Sequence, residues 1–396
     1  MFELEEVGAP EGDSSSTVIK VVGVGGAGGN AVEHMIREGV GGVEFICCNT
    51  DAQALKKSSA DVKLQLGPGL GAGGKPDKAR ELAVQDRGRI AEALQGAHMV
   101  FITAGMGGGT GTGAGPIVAE VARELGILTV AVVTKPFEYE GKRKRLAEEG
   151  VAELARHVDS LIIILNEKLE EVLGEEVSML EAFQAADNVL RNAVGGIAEI
   201  INVPGLVNVD FEDVRTVMGE MGKAMMGSAV SAGVDRARVA AEEAVASPLL
   251  EGIELSGARG VLVNITASTT LGLREYKEVM RTIRQYTAPE ATVICGAVFD
   301  EGMEDRLRVT VVATGLGVVA TRETAKPKMS VVETVGLRTG TDNLQVYDVA
   351  MAQVAVDLSS VTSSARGGPR NAQADAMAAS GVDKYDIPAF LRRQSD

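Results

Sequence analysis

Nine residues, Gly105-Met106-Gly107-Gly108-Gly109-Thr110-Gly111-Thr112-Gly113, constrain this chain more than any other stretch. They stand between a run that reads as a buried strand (99–103) and one that reads as a helix (114–125). Glycines let a backbone turn its N–H groups into a concave anion site, and a helix N-terminus adds a positive dipole end. Thr110 and Thr112 are placed to offer hydroxyls to phosphate oxygens. A flexible linker shares the composition but not the position between a strand and a helix. The run predicts a phosphate loop.

Strand-like and helix-like runs alternate around it. Apolar runs at 18–24, 45–48, 99–103, 128–133 and 161–165 alternate with helical stretches such as 79–94 and 143–156. That pattern predicts an α/β fold: a parallel, Rossmann-like sheet covered on both faces. A long central helix over 178–201 leads away from it. Residues 222–316 then read as helix (235–246), strand (260–266), helix (274–286) and two strands (291–299, 306–313), a smaller α+β domain with a mixed sheet. The expected division is an acidic, disordered arm at 1–16, a nucleotide-binding domain at 17–177 and the central helix with its following loop at 178–221. The small domain fills 222–317, a Thr/Ser/Ala/Gly/Gln-rich flexible linker 318–383, and an apolar-charged tail 384–396.

Composition removes several function classes. A net charge of −16 leaves no basic face for nucleic acid, although backbone N–H groups can still hold a nucleotide triphosphate. Cys47, Cys48 and Cys295 have no metal-type spacing, so neither a zinc site nor a disulfide framework is expected. The N-terminus is acidic where a signal peptide needs basic residues, and the longest aliphatic run, 161–165, is far too short to cross a bilayer. The expectation is a cytoplasmic protein that does not insert into the membrane.

Three nucleotide-binding readings compete at this point, a dinucleotide fold, a mononucleotide clasp and a P-loop ATPase. Gly23-Val24-Gly25-Gly26-Ala27-Gly28-Gly29-Asn30 satisfies G-x-G-x-x-G after a strand, and Asp51 ends the next strand where a ribose-binding acid belongs. An NAD-dependent oxidoreductase using Gly23, Gly25, Gly28 and Asp51 fits that much. A second glycine run at 107–113 has no standard use in such an enzyme, whereas two glycine loops suit one polyphosphate clasped from two sides. Gly69 to Lys75 nearly spells a P-loop, but Pro76 stands where Ser or Thr must hold magnesium. It reads as a glycine loop near the γ-phosphate.

The run GGGTGTG resembles the signature of the tubulin/FtsZ superfamily of self-assembling GTPases. Val133-Thr134-Lys135-Pro136-Phe137 with Glu140-Gly141, Asn208-Val209-Asp210-Phe211-Glu212-Asp213-Val214, and the terminal Asp386-Ile387-Pro388-Ala389-Phe390-Leu391 are similar to the bacterial FtsZ family, closest to its proteobacterial forms. The resemblance covers nearly all of 17–317 and the tail. It implies a GTPase that polymerises head to tail into the filaments of the division ring, binding GTP and GDP with Mg2+ on the nucleotide.

Carried over residue by residue, it implies that Gly26, Ala27, Gly28, Gly29 and Asn30 line the phosphates and sugar. Gly109, Thr110 and Gly111 would hold the β- and γ-phosphates by backbone N–H groups. Glu140 and Arg143 would lie near ribose and phosphates, Asn166 near sugar or base, and Phe183 would stack on guanine. Asp187 would select guanine by accepting from its two adjacent donors; leaving that buried acceptor unpaired costs about 1–3 kcal/mol. Asn208, Asp210 and Asp213 would complete a neighbouring subunit's site, the carboxylates orienting the attacking water. Spacing alone also allows Asp210 and Asp213 to be an ordinary helix cap over 213–219.

Three departures from the family pattern stand out. The loop Gly67–Gly74 lacks a few residues usually found before its LGAG segment. Glu140-Gly141-Lys142-Arg143 is one residue short, so Arg143 matches only across a gap and Arg145 is the alternative. Leu165 replaces the Pro common before Asn166. The first two flank the nucleotide and leave room for a filament protein that binds GTP but turns it over slowly. His34, His98 and His157 share no spacing and read as surface or packing residues. Met218, Met221, Met225 and Met226 have helical spacing and read as packing. In the tail, Ile387, Phe390 and Leu391 fall on one face of a short helix flanked by Lys384, Arg392 and Arg393. By resemblance, the segment from Tyr385 to Arg393 binds membrane tethers of the FtsA and ZipA type, placing assembly at midcell on the inner face of the membrane.

Overall fold

The computed structural model describes residues 17–316 except 175–177, 204, 206, 208, 221 and 248–256. The arm at 1–16, linker at 318–383 and tail at 384–396 lie outside the described residues, as do Asn208 and Met221. Six strands, β1 (Ile19–Val24), β2 (Glu44–Asn49), β3 (Val62–Gln65), β4 (Met99–Gly105), β5 (Leu128–Lys135) and β6 (Ser160–Leu165), run parallel in the order β3-β2-β1-β4-β5-β6. The apolar runs are continuous because helices cover both faces. Val21, Phe101 and Val130 join one core with Met35 and Ile197, while their neighbours Val22, Ile102 and Ala131 join another with Ile90 and Ile117.

The covering helices are α1 (Gly25–Arg37), α2 (Ala52–Lys57), α3 (Pro76–Gln85), α4 (Arg87–Leu94), α5 (Thr110–Glu124), α6 (Lys142–Leu154) and α7 (Asn166–Leu173). The long α8 (Met179–Asn202) starts on a capping box, Ser178 with Glu181. Its 24 residues span about 36 Å, and Asn202 Nδ2 donates to Gly42 O at 2.7 Å, just ahead of β2. The helix therefore runs from the carboxyl edge of the parallel sheet to its amino edge.

α9 (Phe211–Met218), β7 (Gly222–Ala232), α10 (Arg236–Val245), β8 (Gly260–Ala267), α11 (Leu273–Tyr286), β9 (Thr292–Phe299) and β10 (Arg306–Leu316) follow. Their strands form the mixed part, β7-β10-β8-β9, antiparallel except for β8 with β9. A short parallel seam between β6 and β7, from Ser160 opposite Gly222 to Ile162 opposite Ala224, joins both parts into one ten-stranded sheet. α10 and α11 cover this part with their own core, including Ala240, Ile283, Val263 and Val309.

Three local expectations are corrected. The helix expected over 79–94 is two, broken at Asp86, whose carboxylate accepts from Gly67 N at 2.8 Å and pairs with Arg89 at 3.1 Å. The side chain competes for donors outside its own helix. The methionines of helical spacing do not share one helix: Met218 ends α9, whereas Met225 and Met226 lie on β7 and enter opposite cores. Opposite faces for successive residues is the strand period. Finally, α5 begins at Thr110, inside the glycine run, rather than at 114.

Candidate functional site

Strand order places the site. β1 sends the chain outward to β2 and β3, while β4 returns to its other side, so a crevice opens at the carboxyl ends of β1 and β4. Both glycine runs lie there, each opening a helix whose first N–H groups have no intrahelical partner. Their closeness depends on absent side chains. A Cβ on Gly28 would stand 2.3 Å from Thr103 O, so α1 rests directly on β4. Gly25, at φ 78°, would bring one to 2.9 Å from Gly111 N: the two runs touch.

The third glycine loop closes over them. Gly71 N donates to Thr50 O at 2.8 Å, Ala52 N donates to Gly69 O at 3.0 Å, and a Cβ on Gly109 would stand 3.0 Å from that of Ala72. The Thr50 and Thr110 hydroxyls bond at 2.7 Å. Thr112 does not serve as expected from the sequence. It is buried, and its hydroxyl accepts from Gly107 N at 2.9 Å, bracing the loop.

Beside these loops lies a cleft of about 370 Å³. Gly26, Ala27, Asn30, Glu140, Arg143, Asn166, Phe183 and Asp187 all line it, although they come from four separate segments. Gly29 lines an adjoining hollow that shares Gly26 and Asn30 and also holds Asp51. Gly28 faces β4, and Gly109, Thr110 and Gly111 form the contact between the loops. Of the two candidate arginines, Arg143 lines the cleft and pairs with Glu140, whereas Arg145 faces outward toward Glu149 at 3.7 Å. Glu140 also accepts from Phe137 N at 3.1 Å.

Asn166 is buried and its Oδ1 has no partner among the described residues, an acceptor held in the wall of the cleft. Phe183 is 47% exposed and meets Phe137 edge to face at 6.3 Å. Burial pushes the Asp187 carboxyl up to about 6, opposed by the nearby His34 and Arg37. Arg37 Nη2 lies 2.6 Å from His34 Nδ1, and His34 Nε2 lies 2.7 Å from Asn188 Oδ1. An anion can thus sit on two helix N-termini while a planar ring lies by Phe183 with its edge toward Asp187 and Asn166.

Sequence reading missed Thr50, Thr134, Pro136, Ala186 and Leu190. The last two had a usable signal, since Phe183, Ala186, Asp187 and Leu190 make one helical face at i, i+3, i+4 and i+7. Thr134, within β5, and Pro136, just beyond it, lay in the quoted segment Val133–Phe137, but no local pattern marked them as cleft residues.

The acids lie elsewhere. Asp210 is the N-cap of α9 and accepts from Asp213 N at 2.8 Å; both are exposed and neither lines the cleft. Phe211, between them, touches His98 at a ring distance of 6.1 Å. His98 immediately precedes β4, whose far end carries the glycine run. Seven residues of β4 put about 23 Å between those ends.

Known proteins resemble this chain along most of its length. Residues 18–174 match the family described as "Tubulin/FtsZ family, GTPase domain", and residues 222–317 match "FtsZ family, C-terminal domain". The chain is 52% identical over 407 residues to the cell division protein FtsZ of Azotobacter vinelandii, covering 100% of both. It is 59% identical over 322 residues to that of Coxiella burnetii, covering 80% of this chain and 82% of the relative. Among solved structures, an empty FtsZ dimer from M. jannaschii superposes with a TM-score of 0.73 at 44% identity, covering 78% of this chain and 90% of that one.

Proposed function

The chain belongs to the FtsZ family, and from that premise we propose that its hydrolytic site is built from two copies meeting head to tail. The family gives the coarse function: a GTPase of cell division that binds GTP and GDP and assembles with itself into filaments. In the reading proposed, guanine lies between Phe183 and the edge acceptors Asp187 and Asn166. The phosphates rest on the N-termini of α1 and α5, with Arg143 and Glu140 at the ribose side.

One observation carries the two-copy site. Asp210 and Asp213 stand at the amino edge of the sheet and the cleft at its carboxyl edge, so one copy cannot bring them together. Head-to-tail stacking sets the amino edge of one copy over the cleft of the next, a heterologous contact that continues as a filament. There the carboxylates orient the attacking water toward the γ-phosphate. Asn208 is assigned to the same loop on sequence alone. Magnesium is assigned to the nucleotide's phosphates and water, its ordinary ligands; among the described residues no group of three acidic, His or Cys side chains offers a protein cage.

The division of labour follows the sequence: nucleotide binding in 17–177, the link to the acids in 178–221, and the small domain in 222–317. No helix among the described residues is long and apolar enough to cross a membrane. The tail's Ile387, Phe390 and Leu391 support docking to FtsA- and ZipA-type tethers, and through them cytoplasmic assembly at midcell on the membrane's inner face. Truncation before Tyr385 is expected to leave pelleting intact and to abolish recruitment to tether-coated vesicles.

The test of the shared site is phosphate release against protein concentration. The specific rate is expected to rise from near zero once filaments pellet, and Asp213→Ala is expected to stop turnover while retaining GTP. A rate independent of concentration contradicts a shared site. Pelleting without phosphate release at any concentration favours the low-turnover alternative.

A further inference from the structure

The acids sit at the first turn of α9, at the opposite end from its two buried hydroxyl ties. Its inner face buries Val214, Val217 and Met218 in the core. Its last turn is tied twice by buried hydroxyls, Ser160 Oγ donating to Met218 O and Thr314 Oγ1 donating to Val217 O, each at 2.6 Å. At the first turn Asp210 and Asp213 are exposed, Asp210 capping the helix by accepting from Asp213 N at 2.8 Å, and Phe211 between them is partly buried against the core. Against Phe211 stands the His98 ring, edge to face at 71°. That ring is itself oriented, because Val18 N donates to its Nδ1 at 3.1 Å from the start of the neighbouring strand.

We propose that His98 is a positioning residue for Asp210 and Asp213: through Phe211 it sets where those carboxylates stand over the neighbouring copy's nucleotide. The inference rests on the two-copy reading above and adds one side chain to it. The Val18 bond fixes the ring plane, the ring holds Phe211, and Phe211 fixes the turn that carries both acids. Reactions that depend on placement lose about a hundredfold for about 1 Å of displacement. His98→Ala is therefore expected to lower the rate per subunit contact by about ten- to a hundredfold, with GTP affinity and pelleting unchanged. His98→Phe, which keeps a ring for Phe211, is expected to retain most of the rate. His98→Asn, which keeps an acceptor for Val18 N but no ring, is expected to behave like the alanine variant.

Mixed filaments separate this role from a general effect on the fold, because the defect lies in what a copy gives to its neighbour. His98→Ala mixed with Asp187→Ala creates contacts that join an intact cleft to intact acids, and phosphate release is expected to exceed the sum of the separate proteins. His98→Ala mixed with Asp213→Ala creates none, and no gain is expected. A gain in the second mixture, no gain in the first, or a fully active His98→Asn overturns the proposal. The control is Asp213→Ala mixed with Asp187→Ala. If that pair gains while His98→Ala with Asp187→Ala does not, His98 alone is misassigned; if the control also fails to gain, the two-copy reading is wrong.

Discussion

In the reading proposed above, Asp187 gives guanine recognition a pH dependence. Burial pushes its carboxyl up to about 6, with His34 and Arg37 pulling the other way. Guanine's edge offers two donors, which pair with the carboxylate and not with the protonated acid. Below about pH 6 the free cleft holds a proton that guanine must displace. GTP affinity is therefore expected to be level above about pH 7 and to fall by up to about tenfold per pH unit below about pH 6, or about 1.4 kcal/mol per unit. Stability of the free chain moves the opposite way. Because the folded value lies above the ordinary one, this group's contribution is fully present below the unfolded carboxylate range and is lost as pH rises through about 6.

The assay is competition binding or calorimetry from about pH 5 to about pH 8 at constant ionic strength, on the natural chain and on Asp187→Asn. GTP's own phosphates titrate in that range, so the difference between the two proteins is the informative quantity. The asparagine variant is expected to bind about ten- to a hundredfold more weakly at neutral pH and to lose the extra slope. Equal slopes in the two proteins would refute the assignment of the proton to Asp187.

Three further outcomes follow from named contacts. Gly28→Ala places a methyl 2.3 Å from Thr103 O, which neither backbone can yield cheaply; thermal unfolding should show a loss of about 1–3 kcal/mol, together with weaker GTP binding. Arg236, 8% exposed, holds Glu275 at 2.7 and 3.1 Å and donates to Asp305 O at 2.7 Å, and its guanidinium holds the Glu275 carboxyl below the ordinary range. Arg236→Met strands that partly buried carboxylate and should cost about 3–5 kcal/mol in denaturant, with Glu275→Gln restoring part; a loss below about 1 kcal/mol would class the pair with surface ion pairs. Arg143→Ala should weaken GTP binding while Arg145→Ala leaves it unchanged, and the reverse would mean that the shortened segment places the arginines differently.

Much of the fold was legible because burial on both faces writes itself as continuous apolar runs. β1, β4, β5 and β6 fall where Val, Ile and Leu cluster. β3 has one buried apolar residue, Leu64, and is held by its register with β2, information no local pattern contains. β7 was hidden because Met225 and Met226 serve two cores at once, so their spacing mimicked a helix. The glycine runs were legible from the backbone geometry they require, whereas Glu140, Arg143, Asn166, Phe183 and Asp187 came to the cleft through the family resemblance alone. Thr112 was misread because sequence cannot tell a hydroxyl turned inward to Gly107 N from one turned toward a ligand. The length of α8 was legible as the helix over 178–201, but its direction from the carboxyl to the amino edge of the sheet, which parts the acids from the cleft, was not.

The central claim is that one copy supplies the cleft and the next supplies the acids, and mixed filaments test it most directly. Asp213→Ala keeps an intact cleft and Asp187→Ala keeps intact acids, so each alone is expected to be silent. An equimolar mixture should release phosphate at about a quarter of the rate of the unaltered chain, the share of contacts that pair the two intact halves when copies mix at random along a head-to-tail filament. A mixture as silent as its components, though it pellets with GTP, would contradict the account.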